Sequence, residues 1–472
     1  MSESRSRRGA SRQRPRDAMP SGAGGNRPVV AIVGRPNVGK STLFNRLAGG
    51  QIAIVEDVAG VTRDRHYADA VARGREYVLI DTGGFDPESE DPMAESIASQ
   101  VRLAIDECDL IVSVLDATVD PTPADREAVK LLRHAQKPVI WVANKADSRK
   151  HEHEAMSLYE LGLDLILPVS ALHGNGTGDL EDAIAAAFPE VDEEHEPIGG
   201  RDCSRVAIVG RPNAGKSSLV NRLVGEDRHL VDARPGTTVD PIDTLIVRND
   251  KPLVLIDTAG IRRRRSVKGG IEGLAVIHAI RAMERAHCVV LMIDAAGGTA
   301  EQDARIAGLA EERGRALVIA VNKTDLMSAD DRKQVVTRTK EILAFVPWAP
   351  VIPVSVKNGR GVQKLMNAVD SALKEHDKRI GTGQLNRFFA EVIETHPPPT
   401  SSKRDVRLYF ITQAEVRPPT FIVVANRPDD VHFSYQRYVV NQLRKRWGFE
   451  GTTMRVRYRK KRRTENPDAA PR

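Results

Sequence analysis

Two segments of the chain carry the residue types that a polyphosphate needs. Gly34-Arg35-Pro36-Asn37-Val38-Gly39-Lys40-Ser41 and Gly210-Arg211-Pro212-Asn213-Ala214-Gly215-Lys216-Ser217 each bracket a short loop with glycines and end on Lys-Ser. Glycines let backbone N–H groups close around an anion, a lysine there reaches the β- and γ-phosphates, and Ser41 and Ser217 offer a hydroxyl to Mg²⁺. A second pair, Asp81-Thr82-Gly83-Gly84 and Asp257-Thr258-Ala259-Gly260, supplies a carboxylate for the Mg²⁺ surroundings and a glycine N–H for the γ-phosphate. The third pair, Asn144-Lys145-Ala146-Asp147 and Asn322-Lys323-Thr324-Asp325, decides the base. An aspartate there accepts from guanine N1–H and N2–H together, whereas adenine would leave the carboxylate unpaired. Ser170-Ala171 and Ser355-Val356 would buttress the guanine O6 side. These residues predict binding of GTP and GDP rather than adenine nucleotides.

Positions that should polarise the attacking water are apolar. The residues directly after the Asp-x-x-Gly elements, where a glutamine often orients the water, are Phe85 and Ile261.

The elements that must hold these groups recur as well. Gly34 and Gly210 lie 176 residues apart, and the same offset carries YVLIDTGGF at 77–85 onto LVLIDTAGI at 253–261. VIWVANKAD (139–147) returns as LVIAVNKTD (317–325), and LPVSALHGNG (167–176) as IPVSVKNGRG (352–361). Four blocks in one order are two copies of one domain. Short β-branched runs alternate with helical patterns, which predicts an α/β fold with a mainly parallel sheet in each copy. The expected boundaries are 28–188 and 204–378, joined by an acidic linker at 189–203. After residue 378 the pattern changes to a helix stopped by Pro397, two alternating strands, a second helix and a basic strand. This predicts a small α+β domain at 379–461, with disordered tails at 1–27 and 462–472.

Charge follows the same division. The chain has a net charge of +6, made of +5 in residues 1–27, +10 in residues 379–472 and −9 between them. Of 20 aromatic residues, 11 fall between Phe388 and Tyr458. A basic, aromatic-rich end beside an acidic body predicts a nucleic-acid contact through the third domain. Arg444, Lys445, Arg446, Arg455, Arg457, Arg459 and Lys460–Arg463 are expected to form one patch for it.

With these blocks in tandem, the sequence resembles the bacterial tandem-GTPase family Der, also called EngA, over about residues 28–460. Thr382-Gly-Gln-Leu385-Asn386, Arg417-Pro-Pro-Thr420-Phe421, Ser434-Tyr435-Gln-Arg437-Tyr438 and Gly451-Thr452 look like that family's KH-like domain. The resemblance implies GTP hydrolysis coupled to assembly or stability of the large ribosomal subunit. Three cysteines without paired spacing, and no secretory signal or membrane span, point to the cytoplasm, and a monomer is expected. It also implies that Thr62 and Thr238, in Ala59-Gly-Val-Thr62-Arg-Asp64 and Pro235-Gly-Thr-Thr238-Val-Asp240, ligate Mg²⁺. The family's first loop begins with Pro where Ala59 stands, and its second has Arg where Val239 stands. In GTPases with an Asn in the phosphate loop, that Asn can help bind K⁺ where an arginine finger would act; Asn37 and Asn213 match. The competing reading is an RNA-binding scaffold in which one copy holds a nucleotide without turning it over. A GTPase of tRNA modification or metal-ion transport would need helical or membrane segments that the sequence lacks.

Other signals read as ordinary. His151 and His153 in KHEHEA suit a solvated loop rather than a metal site, and three dispersed cysteines suit neither zinc nor disulfides. The run Arg262–Arg265 with Lys268 stands where nucleotide state should move the chain. Gly448-Phe-Glu-Gly451 spells a nucleic-acid clamp motif, but it follows the last helix and precedes a strand, so it is expected to be a turn. No run is apolar and long enough to span a membrane.

Overall fold

The computed structural model describes residues 27–49, 67–84, 98, 101–102, 104–148, 155–188, 203–226, 243–256, 272–399 and 405–460. Thr62, Phe85, His151, His153, Thr238, Asp257, Thr258, Ala259, Gly260, Ile261, Arg262–Arg265 and Lys461 lie outside these residues, as do residues 1–26 and 462–472 of the expected tails and all of the acidic linker but Cys203. Arg27, expected to be disordered, is instead held by Glu284 of the second copy.

Runs of β-branched residues build the first sheet from β1 (Val29–Val33), β2 (Tyr67–Ala72), β3 (Arg75–Asp81), β4 (Leu110–Asp116), β5 (Val139–Asn144) and β6 (Ile166–Val169). The second contains β7 (Ser204–Val209), β8 (Thr244–Arg248), β9 (Lys251–Ile256), β10 (Cys288–Asp294), β11 (Ala316–Asn322) and β12 (Val351–Pro353). Their orders are β2-β3-β1-β4-β5-β6 and β12-β11-β10-β7-β9-β8, one the mirror listing of the other. Neighbours run parallel except in the hairpins β2–β3 and β8–β9. Those hairpins turn through consecutive residues at positive φ, Arg73-Gly74 and Asn249-Asp250, which matches the right-handed strand twist. Parallel strands covered on both faces must be apolar throughout, and every residue of β1 is fully buried.

Helices α1 (Lys40–Leu47), α2 (Pro123–Arg133), α3 (Thr177–Ala187), α4 (Lys216–Glu226), α5 (Glu272–Arg285), α6 (Glu301–Glu312), α7 (Ala329–Ile342) and α8 (Val362–His376) flank the sheets. α2 starts on a paired cap, in which Thr122 Oγ1 accepts from Asp125 N at 3.2 Å while Asp125 accepts from Thr122 N at 3.0 Å; α6 has only half of one, Asp303 accepting from Ala300 N at 3.0 Å.

The third unit is α+β, as its sequence pattern indicates: α9 (Thr382–Thr395), β13 (Leu408–Glu415), β14 (Thr420–Ala425), α10 (Phe433–Trp447) and β15 (Arg455–Lys460). β14 pairs antiparallel with β13 and parallel with β15. Leu385 and Phe389 of α9 and Tyr435, Val439 and Leu443 of α10 close over Ile411, Phe421 and Val423.

The three units are packed together, which no local sequence pattern announces. α5 of the second copy lies against the first: one buried cluster runs from Val101, Ala104 and Cys108 to Ile277 and Ile280. At its rim Arg281 donates to Asp109 at 2.7 Å, and Glu284 is clamped by Arg27 at 2.7 and 2.9 Å and by Arg313 at 2.8 Å. The third unit docks on the second through its last turn. Leu317 N donates to Gly451 O at 2.8 Å, Gly451 N to Trp348 O at 2.7 Å, and Phe449 N to Glu375 Oε2 at 2.8 Å. Gly448–Gly451 is therefore a turn, and its Phe449 is fully buried rather than presented to a ligand.

This docking corrects the expected single basic patch. The Arg444 guanidinium is spent on Phe449 O at 2.6 Å and Thr452 O at 2.8 Å, and it lies over the Trp348 ring. Arg455 donates to Glu312 O of the second copy at 2.6 Å. Burial makes a guanidinium costly unless carbonyls replace its water, so these two arginines serve the joint.

Candidate nucleotide sites

Each phosphate loop leaves the end of a central strand and runs into a helix whose first residue is its lysine, Lys40 for α1 and Lys216 for α4. Glycine is required at four points. A Cβ on Gly34 would stand 2.4 Å from Val114 O, and one on Gly210 would stand 2.3 Å from Met292 O. On Gly39 and Gly215 it would strike the side-chain amide nitrogens of Asn144 and Asn322 at 2.3 and 2.2 Å. The latter two sit at φ +92° and +102°, where an L side chain is strained in any case.

Those asparagines join the loops. Asn144 Nδ2 donates to Val38 O at 2.7 Å and its Oδ1 accepts from Ala171 N at 3.0 Å. In the second copy Asn322 donates to Ala214 O at 2.9 Å and accepts from Val356 N at 3.0 Å. One buried carboxamide thus fixes phosphate loop, Asn-Lys-x-Asp element and Ser-Ala or Ser-Val element to each other. Because the contact at 356 is a backbone N–H, Val356 serves as well as Ala171.

The ligand-facing groups are aligned by their neighbours. Ser170 Oγ donates to Asp147 Oδ1 at 2.5 Å and Ser355 Oγ to Asp325 Oδ1 at 2.6 Å. The Ser355 hydroxyl holds the Asp325 carboxyl below the usual aspartate range, so it is ionised at neutral pH as a double acceptor must be. Ala146 N donates to Val169 O at 3.1 Å, and Thr324 Oγ1 to Val354 O at 2.7 Å, seating both loops on the last strand of their sheet. Lys40 Nζ lies 2.8 Å from Gly34 O and 2.9 Å from Arg35 O; Lys216 Nζ is 2.7 Å from both Gly210 O and Arg211 O. Burial lowers both ammonium groups, Lys216 to about 8, against the opposing pull of Asp81 on Lys40 and of Asp303 on Lys216. A cation desolvated this far gains most when a phosphate arrives.

Ser41 Oγ donates to Asp81 Oδ2 at 2.7 Å, and Gly83 N to Asp81 Oδ1 at 3.0 Å. Asp81 is buried at the end of β3, with Thr82 Oγ1 held on Ile32 O at 2.8 Å. A hydroxyl and a carboxylate side by side, with no nitrogen or sulfur donor, form an oxygen set that fits Mg²⁺. Among the described residues no group of three or more His, Cys, Asp or Glu side chains could hold a metal by itself. Asn37 and Asn213 are exposed at φ 64° and 63°, and Pro36 and Pro212 are exposed beside them. The left-handed backbone accounts for asparagine as a turn former at these positions.

Several supporting residues escape motif reading. Arg46 of α1 donates to Ala171 O at 3.0 Å, and Arg222 of α4 to Val356 O at 2.7 Å, so each nucleotide helix pins its own base loop. Lys145 pairs with Asp116 at 2.6 Å and Lys323 with Asp294 at 2.5 Å. Burial alone would raise Asp116, but the Lys145 ammonium and Thr118 outweigh it and hold the carboxyl below its usual range. Arg35 reaches Asp116 at 3.4 Å and Asp125 at 3.6 Å, while Arg211 reaches Asp303 at 3.0 Å. Each phosphate-loop arginine thus reaches a carboxylate at a helix start, Asp125 or Asp303, and Arg35 also reaches Asp116 at the end of β4. The signal that would have found such pairs is the repeat itself, since Arg46/Arg222 recur at the 176-residue offset of the phosphate loops and Asp116/Asp294 and Asp125/Asp303 at the 178-residue offset of the Asn-Lys-x-Asp elements.

Comparison with known proteins follows the same division of the chain. A family model described as "50S ribosome-binding GTPase" matches residues 29–145 and 205–323, and one described as "Elongation factor Tu GTP binding domain" matches 276–375. A third, "KH-domain-like of EngA bacterial GTPase enzymes, C-terminal", matches 379–459. GTPase Der of Syntrophotalea carbinolica is 46% identical over 435 residues, covering 91% of this chain and 98% of the relative. GTPase Der of Moorella thermoacetica is 45% identical over 436 residues, covering 92% and 99%. GTPase Der of Symbiobacterium thermophilum is 47% identical over 437 residues, covering 92% of each. With two guanine-nucleotide domains in series, an EngA-type KH-like domain and near end-to-end identity to these relatives, the chain belongs to the Der family of tandem GTPases.

Proposed function

We propose that both copies bind Mg²⁺–GTP and turn it over, and that their nucleotide state controls docking of the basic third domain on the large ribosomal subunit in the cytoplasm. The observation that carries this reading is the duplication of complete phosphate and base loops, each locked by its own asparagine carboxamide. A copy kept as a scaffold would have no use for a second full set.

Within each copy, Lys40 or Lys216 and the loop N–H groups hold the β- and γ-phosphates, and Asp147 or Asp325 holds guanine. Mg²⁺ would be held by Ser41 with Thr62 and by Ser217 with Thr238, near Asp81 and Asp257, and would supply positive charge to offset that of the phosphates. The glycine N–H of each Asp-x-x-Gly element reads the γ-phosphate, and its loss on hydrolysis releases the adjoining segment. Arg35 and Arg211 are engaged with carboxylates, and Phe85 and Ile261 can polarise nothing. By the resemblance to GTPases with an asparagine in the phosphate loop, the missing positive charge would be supplied by K⁺, held in part by Asn37 and Asn213.

Two expectations follow for solution behaviour. Steady-state hydrolysis in KCl exceeds that in NaCl at equal concentration by about tenfold, or ~1.4 kcal/mol of barrier. Asn37→Ala with Asn213→Ala removes the difference; equal rates in both salts for the unchanged protein would refute the assignment. Asp147→Asn or Asp325→Asn exchanges a double acceptor for a group that also donates. Each costs about 1.5–3 kcal/mol, one to two decades in GTP affinity at its own site by titration calorimetry. Unchanged affinity would show the base lies elsewhere.

The docking half is tested by co-sedimentation with large subunits. Binding should be stronger with a non-hydrolysable GTP analogue than with GDP, and should weaken steeply as salt rises because phosphate contacts release counterions. Neutralising Arg459–Arg463 should diminish it. Binding that ignores both the nucleotide and this neutralisation would leave the docking half unsupported.

A further inference from the structure

The sheet of the third unit has two faces with different partners. Ile411, Phe421, Val423, Val456 and Tyr458 turn inward to the helices. On the opposite face the strand register lines up Phe410, Val424 and Arg459 in one row and Thr412, Ile422 and Arg457 in the next. Phe410, Ile422 and Val424 belong to none of the hydrophobic clusters formed by the described residues. The third row, Thr420 and Arg455, is closed off by the second copy, where Arg455 reaches Glu312 O. The other end stays open. Phe410 is 42% exposed and Arg459 is exposed, with Val424 buried at 9% exposure between them and Arg457 half-buried in the next row.

Rows of this composition suit one chemistry. An aromatic ring on one strand, a small apolar residue on the middle strand and an arginine on the third offer a stacking platform with a phosphate contact beside it. Strands are about 4.8 Å apart, so the backbones that carry the ring and the arginine are roughly 10 Å apart, and the long arginine side chain can place its guanidinium beside a base stacked on the ring. Paired bases inside a duplex cannot be stacked on such a platform, because their faces are covered by neighbours. A protein strand would meet the edge of β13 but would leave two arginines facing nothing.

We propose that the open half of this sheet, with Phe410 as the stacking ring and Arg457 and Arg459 as phosphate contacts, binds single-stranded RNA. The proposal rests on the reading that the third domain meets ribosomal RNA, and it names the surface that does so.

The test uses the full chain and a fluorescein-labelled single-stranded RNA of about ten nucleotides, followed by anisotropy across a salt series. Phe410→Ala should weaken binding by about tenfold without changing the salt slope, and Phe410→Tyr should restore it. Arg457→Gln with Arg459→Gln should weaken binding and lower the slope by about 0.7 per arginine. Thermal melting and GTP hydrolysis report that the variants are folded, since none of these residues lies in the nucleotide sites. Affinity within about twofold for Phe410→Ala, together with a loss in Lys445→Gln with Arg446→Gln, would overturn the sheet face in favour of the end of α10. If the RNA binds the unchanged protein but Phe410→Ala binds it and large subunits equally well, the surface falls while ribosomal docking stands. If the unchanged protein binds neither, both fall.

Discussion

Replacing Glu284 by alanine should lower stability by about 3–5 kcal/mol, one of the largest single effects expected in this protein. Glu284 is 1% exposed, and its carboxylate takes three hydrogen bonds, two from Arg27 and one from Arg313. Arg27 also lies 3.1 Å from Asp69, and Arg313 is 4% exposed. Removing the carboxylate leaves two guanidiniums facing each other with little water to replace it. Burial pushes the Glu284 carboxyl up, but Arg313, Arg27 and Arg315 together hold it below the usual glutamate range. A depressed carboxyl contributes fully above the unfolded value of about 4.3, and that contribution is lost as pH falls through the folded value. Urea denaturation should therefore show the alanine variant weaker at neutral pH and converging with the unchanged protein in acid. A change below about 1 kcal/mol at neutral pH would mean that the cluster is no better than a surface ion pair.

The second large effect is at the phosphate loops. Gly39→Ala should abolish tight binding at the first site and Gly215→Ala at the second, each leaving the other site intact. An alanine in left-handed backbone costs roughly 1–2 kcal/mol, and pushing the asparagine amide away breaks a buried hydrogen bond worth about 1–3 kcal/mol. The sum corresponds to about two decades or more in affinity. Calorimetric stoichiometry for GDP should fall from two sites to one in either single variant. Two undiminished sites in Gly39→Ala would show that the loop accommodates a methyl group, against the 2.3 Å approach to Asn144.

Much of this protein could be read from residue order alone, because its determinants are local. A phosphate loop is a short run of backbone amides, and Gly34–Ser41 must lie between a strand and a helix to work. Guanine choice rests on one carboxylate per copy, so Asp147 and Asp325 could be named at once. Duplication made each reading twice as secure, and a continuous apolar run such as β1 announces a strand covered on both faces. The small α+β unit was legible for the same reason, since a helix cannot be continued through Pro397–Pro399 and alternating strands show their faces.

Tertiary structure decided what depends on partners far apart in the chain. Arg444 and Arg457 look alike as letters, yet one is consumed by carbonyls at a joint and the other lies on an open sheet face. Glu284 reads as one more charge on a helix until Arg27, 257 residues away, closes on it. Gly448–Gly451 matches a clamp motif, but Phe449 is buried in the core of the third unit against Phe421, and the backbone of the turn is bonded to Glu375, Trp348 and Leu317 of the second copy. Spacing along the chain fixes which groups share a loop, strand face or helix cap. Whether a charge meets water, a carbonyl or an opposite charge is set only when distant elements pack, and that environment determines what the charge can do.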